Sequence, residues 1–271
     1  MYRVLIAISL AWVSLLHAQD SVRVHLNESP RHQEWVKIKS GDRQVDAFLV
    51  FPEVSDPALA VVLIHENRGL TDWVRSVADR LAAAGYIAIA PDLLSGMGPE
   101  GGGTAAFASE DEARQAIYQL SPEQVTADLN GVADYVKKLP AASGEVAVGG
   151  FCWGGSRTFL FATQRADFKA AFVFYGQGPE GADALAPIAC PVYGFYGGAD
   201  RRVNATLPAT TEAMKKAGKL YEPVIYEDAG HGFMRSGEAA DASQANQKAR
   251  AEGWSRWLTV LAQLAQADEA K

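Results

Sequence analysis

The order of apolar and polar positions predicts strands and helices in alternation along most of the chain. Trp35–Lys39 and Val45–Val50 alternate with a period of two around Ser40-Gly41-Asp42 and read as a hairpin. Ala58–Ile64 is continuously apolar, as a strand covered on both faces requires. Thr71–Ala84 has helical spacing with Gly85 as its stop, and Tyr86–Ala90 is a strand ended by Pro91-Asp92. Ser109–Leu120 and Pro122–Lys138 are predicted as two helices, followed by a strand at Val146–Gly149 and a helix reaching about Gln164. Ala170–Tyr175, Val192–Tyr196 and Glu222–Tyr226 supply further strands. Asn204–Ala217 is predicted as one helix closed by Gly218. Asp241–Leu264 is a long C-terminal helix with Trp254, Trp257 and Leu258 on its apolar side. The glycine-rich stretch Gly98–Gly103 reads as a surface loop. Such alternation predicts an α/β fold, a mostly parallel twisted sheet with helices on both faces.

The first residues follow another pattern. Met1-Tyr2-Arg3 carries one positive charge, and Val4–Leu16 is apolar apart from Ser9 and Ser14. Ala18 then offers a small residue for cleavage, although Leu16 occupies a position where a small residue is preferred. The layout is that of a secretory signal peptide, its apolar core too short for an ordinary membrane span. The expectation is residues 1–18 as signal peptide, 19–34 as an N-terminal extension and 35–271 as a single domain, exported to the periplasm or beyond. The alternative is an uncleaved anchor or an interfacial helix. No cysteine follows the apolar segment, which argues against a lipoprotein anchor.

The chemistry is concentrated after the Val146 strand, at Gly150-Phe151-Cys152-Trp153-Gly154-Gly155. A buried strand that stops at Gly-x-nucleophile-x-Gly and enters a helix is the nucleophile elbow of α/β-hydrolases. Here the nucleophile is a cysteine. That fold places the acid and the histidine after the nucleophile, in that order. Asp200 closes Gly197-Gly198-Ala199-Asp200 at the end of one strand, and His231 follows the next strand in Asp228-Ala229-Gly230-His231. His231 would take the proton of Cys152, with Asp200 orienting the imidazole. Asp228 is the competing acid, read as structural. His65-Glu66-Asn67-Arg68 follows the Ala58 strand, so the backbone amides of Asn67 and Trp153 are the candidate oxyanion donors. Glu66 is unusual beside such a hole and makes sense if a carboxylate must interact with a thiol. The other reading is a loop carboxylate paired with Arg68.

Composition narrows the partners. The chain has 271 residues, 48% of them hydrophobic, and a formal net charge of -7, which disfavours nucleic acid and anionic membranes. Of the two cysteines, Cys190 begins a strand and reads as a small buried hydrophobe, so no disulfide is expected. No pattern implies a metal or an organic cofactor. The expected partner is a small-molecule ester or lactone, and the expected state a monomer or small homo-oligomer. His25 and His32 have no identifiable partner, His65 reads as a local hydrogen-bonding residue, and Arg68 and Trp73 are candidates for the rim of the site.

Taken together, the cysteine elbow, His65-Glu66-Asn67-Arg68-Gly69-Leu70, Gly-Gly-Ala-Asp200 and Ala-Gly-His231-Gly-Phe resemble the dienelactone hydrolase (carboxymethylenebutenolidase) family from about Trp35 onward. The resemblance implies that Glu66 is an activating base, swung onto the Cys152 thiol when substrate arrives. It also implies arginines that grip a substrate carboxylate. Arg235 falls at one such position, and Arg114 with Tyr118 falls where the family carries a second arginine and a tyrosine. The aromatic that often follows this tyrosine is replaced here by Gln119, Leu120 and Ser121. The function implied is hydrolysis of small activated lactones or esters that bear a carboxylate, through a Cys-His-Asp triad and an acyl-cysteine. The alternatives are a broad exported carboxylesterase or thioesterase on the same scaffold, and a non-catalytic binding protein, which the filled catalytic positions disfavour.

Overall fold

The computed structural model describes residues 22–269. A hairpin of β1 (Gln33–Ser40) and β2 (Arg43–Val50) precedes β3 (Ala58–Ile64) and β4 (Ile87–Pro91). Then come β5 (Ala142–Phe151), β6 (Phe168–Phe174), β7 (Val192–Gly197) and β8 (Tyr221–Tyr226). They form one eight-stranded sheet in the order β1-β2-β4-β3-β5-β6-β7-β8. β1, β2 and β4 pair antiparallel, and every pair from β4–β3 to β7–β8 is parallel. The helices are α1 (22–28), α2 (Asp72–Ala83), α3 (Glu110–Gln119), α4 (Pro122–Lys137), α5 (Trp153–Gln164), α6 (Ala182–Leu185), α7 (Arg201–Asn204), α8 (Leu207–Lys216), α9 (Phe233–Ser236) and α10 (Gln244–Glu269).

Alternate residues of each strand feed two separate cores, which is why the β3 run has to be apolar throughout. Val62 and Ile64 point into a core with Ile117 of α3, Leu129 and Val132 of α4, and Phe159 of α5. Val61 and Leu63 point the other way, onto Val74, Val77 and Leu81 of α2 and Trp257 and Leu261 of α10. Trp73 belongs to this second core, where it packs edge-on to Phe151 at 4.9 Å between ring centres. It is therefore a core residue and not part of a rim.

Among the boundaries that differ from the sequence reading, three have a clear physical reason. The helix expected over 204–217 is two: α7 ends at Asn204, whose side-chain amide donates to the Gly197 and Gly198 carbonyls, and α8 starts at Leu207. Pro208 has no N–H to give to the carbonyl of Asn204, so the first helix cannot continue through it. α10 starts at Gln244, with Ser243 accepting from the Asn246 N–H. β5 starts four residues before its apolar run, because its first pairing involves the polar edge around Ala142.

The proposed signal segment lies outside the described residues. The extension after it is docked: Leu26 of α1 is buried in the second core, and residues 25–33 converge on one carboxylate of α2. Asp79, fully buried, accepts from Arg31 Nε at 2.9 Å and Nη2 at 2.5 Å, from Ser29 Oγ at 2.5 Å and from Gln33 Nε2 at 3.1 Å. His25 Nε2 lies 2.9 Å away, the partner that the sequence did not name. Burial alone would raise the Asp79 pKa, but the bonds from Arg31 and Ser29 outweigh it and hold the carboxyl below its ordinary value. Removing one side of a buried pair costs about 3 kcal/mol or more. Asp79→Ala is expected to lower Tm by roughly 10 °C; a drop below about 3 °C would show that the cluster holds nothing. No helix among the described residues is long and apolar enough to cross a membrane.

Candidate active site

Cys152 stands between β5 and α5 with φ 56° and ψ −115°, a conformation that costs a non-glycine residue about 1–3 kcal/mol. Its own N–H is tied to the Phe174 carbonyl at 3.0 Å. The flanking glycines are there for close approach. A Cβ on Gly150 would lie 2.4 Å from the Gly154 carbonyl oxygen, and one on Gly154 would lie 2.3 Å from those of Ile64 and His65. This packing brings the end of β3 against the first turn of α5, so the elbow and the loop after β3 are positioned by the same contact. The Trp153 amide, first in its helix, has no acceptor within the helix and is free to point at a ligand.

Asp200 and His231 come from the ends of β7 and β8. Asp200 is buried at the N-terminus of α7, where one carboxylate oxygen accepts from the Val203 N–H at 3.3 Å. The other lies 2.5 Å from His231 Nδ1, which leaves Nε2 for Cys152. Asp228 is exposed in the preceding turn with φ 55°, so the competing acid is the structural one. Burial lowers the His231 pKa, but hydrogen bonding to Cys152 and Asp200 and their charges outweigh that and push it up to about 8.

This value sets a pH dependence. A pKa raised in the folded state adds stability that is full below about 6.5 and fades as pH rises through 8. The stability gap between wild type and His231→Gln should therefore shrink by about 1 kcal/mol between pH 6 and 9, after allowance for the part-exposed ring. A gap that widens with pH would contradict the assignment.

Sequence reasoning missed Tyr175. It follows β6 with φ 43°, is buried, and sits edge-on to His231 with ring centres 5.0 Å apart. Its hydroxyl has no hydrogen-bond partner among the described residues. Burial, together with the negative charge of Glu66, raises its pKa well above 10, so it is a neutral donor facing the site's charges. The available signal was its place at a strand end before Gly176, one strand over from the elbow.

In the loop after β3, His65 is fully buried and its Nδ1 lies 2.8 Å from the Glu66 carbonyl. Its Nε2 accepts from the Leu93 N–H at 3.3 Å, so Nδ1 carries the proton. Burial lowers its pKa and keeps it neutral. The ring stacks on Trp153 at 5.7 Å, while the Arg157 guanidinium covers the same indole at 5.1 Å. Asn67 Nδ2 donates to the Tyr118 hydroxyl at 3.1 Å, which ties the candidate oxyanion loop to α3. Glu66 is 5% exposed and accepts from Arg235 Nε of α9 at 2.7 Å. Its alternative partner, Arg68, instead pairs with Glu110 at 2.7 Å. Arg114 bonds Asp111 on its own helix at 2.7 Å and is half exposed. The structure thus connects Cys152, Asp200 and His231, Glu66 with Arg235, and Asn67 with Tyr118, while Arg114 on the same helix as Tyr118 is paired with an exposed carboxylate.

Comparison with known proteins agrees with this architecture. Residues 45–265 match the model of the dienelactone hydrolase family. A candidate carboxymethylenebutenolidase of Salmonella typhimurium is 32% identical over 239 residues, covering 83% of this chain and 85% of its own. The carboxymethylenebutenolidase of Pseudomonas putida is 29% identical over 79% of this chain and 93% of its own. The crystal structure of a candidate dienelactone hydrolase from Klebsiella pneumoniae superposes with a TM-score of 0.74 at 27% identity, covering 86% of this chain and 99% of that one. The chain belongs to the dienelactone hydrolase family, and is a hydrolase acting on ester or lactone bonds.

Proposed function

We propose that the protein hydrolyses small, activated, carboxylate-bearing lactones or esters through a Cys152-His231-Asp200 triad. The observation that carries the substrate reading is the ion pair between buried Glu66 and part-exposed Arg235. Only Nε of Arg235 is used by Glu66, so its Nη groups remain for a substrate carboxylate. A carboxylate bound there competes for the guanidinium and releases Glu66, which takes the Sγ proton of Cys152.

The thiolate then attacks the carbonyl carbon, and the oxyanion is held by the amides of Asn67 and Trp153. Collapse breaks the C–O bond and expels the enolate or alkoxide, which takes the proton held by Glu66, and leaves a thioester on Cys152. His231 takes a proton from water, the resulting hydroxide attacks the thioester, and the C–S bond breaks as the departing thiolate takes that proton back from His231. Acylation removes the hydrogen bond from Cys152 that helped to raise His231, so a larger share of the imidazole is unprotonated and able to accept a proton from water in the second half of the reaction. Thiolates acylate best on esters with good leaving groups, which fits enol lactones better than alkyl esters or amides. An exported location, implied by residues 1–18, is part of this proposal.

The test compares Arg235→Ala with wild type on a carboxylated dienelactone and on p-nitrophenyl acetate. Loss of a charged hydrogen-bond partner should lower kcat/KM for the lactone by about 100-fold relative to the neutral ester. Equal losses on both would remove the carboxylate clamp and favour the broad esterase reading.

A further inference from the structure

The mechanism leaves one charged cluster at the mouth of the site unused. Arg68 follows Asn67 directly, so it stands one residue from a candidate oxyanion donor. Its Nη1 pairs with Glu110 at 2.7 Å, with both side chains part exposed. Glu110 is also close enough to Arg235 to raise its pKa, acting after Glu66, where burial opposes them both. The four groups therefore alternate in charge, Glu66–Arg235 and then Glu110–Arg68.

Glu110 is not needed to cap its helix. Ser109 accepts from the Glu112 N–H at 3.2 Å, and Glu112 reaches back to the Ala108 N–H at 3.1 Å, which completes a capping box without it. A carboxylate paired with Arg68 and within electrostatic reach of Arg235, on a helix tied to the candidate oxyanion loop through Asn67 and Tyr118, stands where an anionic substrate group could replace it. Part-exposed ion pairs are weak enough to exchange.

We infer that Glu110 is an internal stand-in for the substrate carboxylate, and that Arg68 is a second anion-binding arginine which it surrenders when substrate enters. This rests on the carboxylate-substrate reading and extends it: the acceptable substrate presents its negative charge to both Arg235 and Arg68, on the acyl side of the oxyanion loop. Asn67 and Tyr118 keep α3 in register with the loop during the exchange, so that only the carboxylates change places.

The test is the ratio of kcat/KM on a carboxylated dienelactone to that on p-nitrophenyl acetate, in wild type, Arg68→Gln, Glu110→Gln, the double variant and Arg235→Ala. The ratio should fall about tenfold in Arg68→Gln, the size of one charge-assisted contact. It should rise about threefold in Glu110→Gln, where the competitor is gone. The double variant should match Arg68→Gln, because Glu110 acts only through Arg68. Arg68→Lys, which retains charge without the fork, should fall between wild type and Arg68→Gln. Ratios within twofold of wild type in both single variants, with the Arg235→Ala ratio still lowered about 100-fold, would overturn this inference and leave the proposed function standing. Ratios within twofold of wild type in every variant, Arg235→Ala included, would overturn both.

Discussion

Cys152→Ala should lower kcat on any ester or lactone by roughly a million-fold, the loss typical of removing a nucleophile that works as part of a unit. What remains would come from the oxyanion donors and from substrate binding. Cys152→Ser should not rescue it. A hydroxyl is a much weaker acid than a thiol, and the base proposed here, the Glu66 carboxylate that Arg235 holds, cannot deprotonate an alcohol to a useful extent. The backbone itself should tolerate both changes, since the strained φ of 56° is held by the Phe174 bond and the flanking glycines, and not by the side chain. Steady-state turnover with circular dichroism as the folding check decides the matter. A Cys152→Ala enzyme that keeps a tenth of its activity would remove the cysteine from the mechanism.

Glu66→Gln separates the two enzyme readings. Glutamine is close in shape and can still bond Arg235, but it cannot accept the thiol proton. If Glu66 is the activating base, kcat/KM for a carboxylated dienelactone should fall by about 100-fold to 1,000-fold, within the range for general-base removal. The fall on p-nitrophenyl acetate should be much smaller, because a neutral ester offers nothing to displace Glu66 from Arg235 and depends on whatever thiolate is already present. Equal small effects on both substrates would reduce Glu66 to a structural carboxylate and leave a general esterase. There is a cost to stability as well. The neutral amide leaves the part-exposed Arg235 without its counter-ion, so a modestly lower Tm is expected alongside the kinetic change.

The parts of the molecule that local sequence specifies were the legible ones. β3 runs over Ala58–Ile64 as its apolar run requires, and the elbow, Asp200 and His231 sit at strand ends because each lies within a few residues of a strand that can be recognised alone. The illegible parts are contacts between distant segments. Glu66 and Arg235 are 169 positions apart, and nothing near Glu66 shows that it would choose Arg235 over its neighbour Arg68. Asp79 looks like an ordinary polar residue of an amphipathic helix, although it is fully buried and holds Arg31, Ser29, Gln33 and His25. Arg114 and Tyr118 share helical spacing, yet only Tyr118 reaches the oxyanion loop, because Asp111 one turn earlier captures the arginine. Tyr175 reads in the sequence as the last residue of a strand, and its role depends on a positive φ that turns the ring toward His231.

Cys190 is buried, and burial pushes its thiol up to about 11, whereas Cys152 is the part-exposed one of the two cysteines. At neutral pH, and with a carboxylate bound at Arg235 to release Glu66, a thiol reagent is therefore expected to meet a single reactive sulfur in the folded protein. The consequence is analytical: uptake of one equivalent of iodoacetamide counts functional sites directly, so specific activities can be normalised to competent molecules, and a second equivalent taken up slowly reports the opening of the β7 edge of the core.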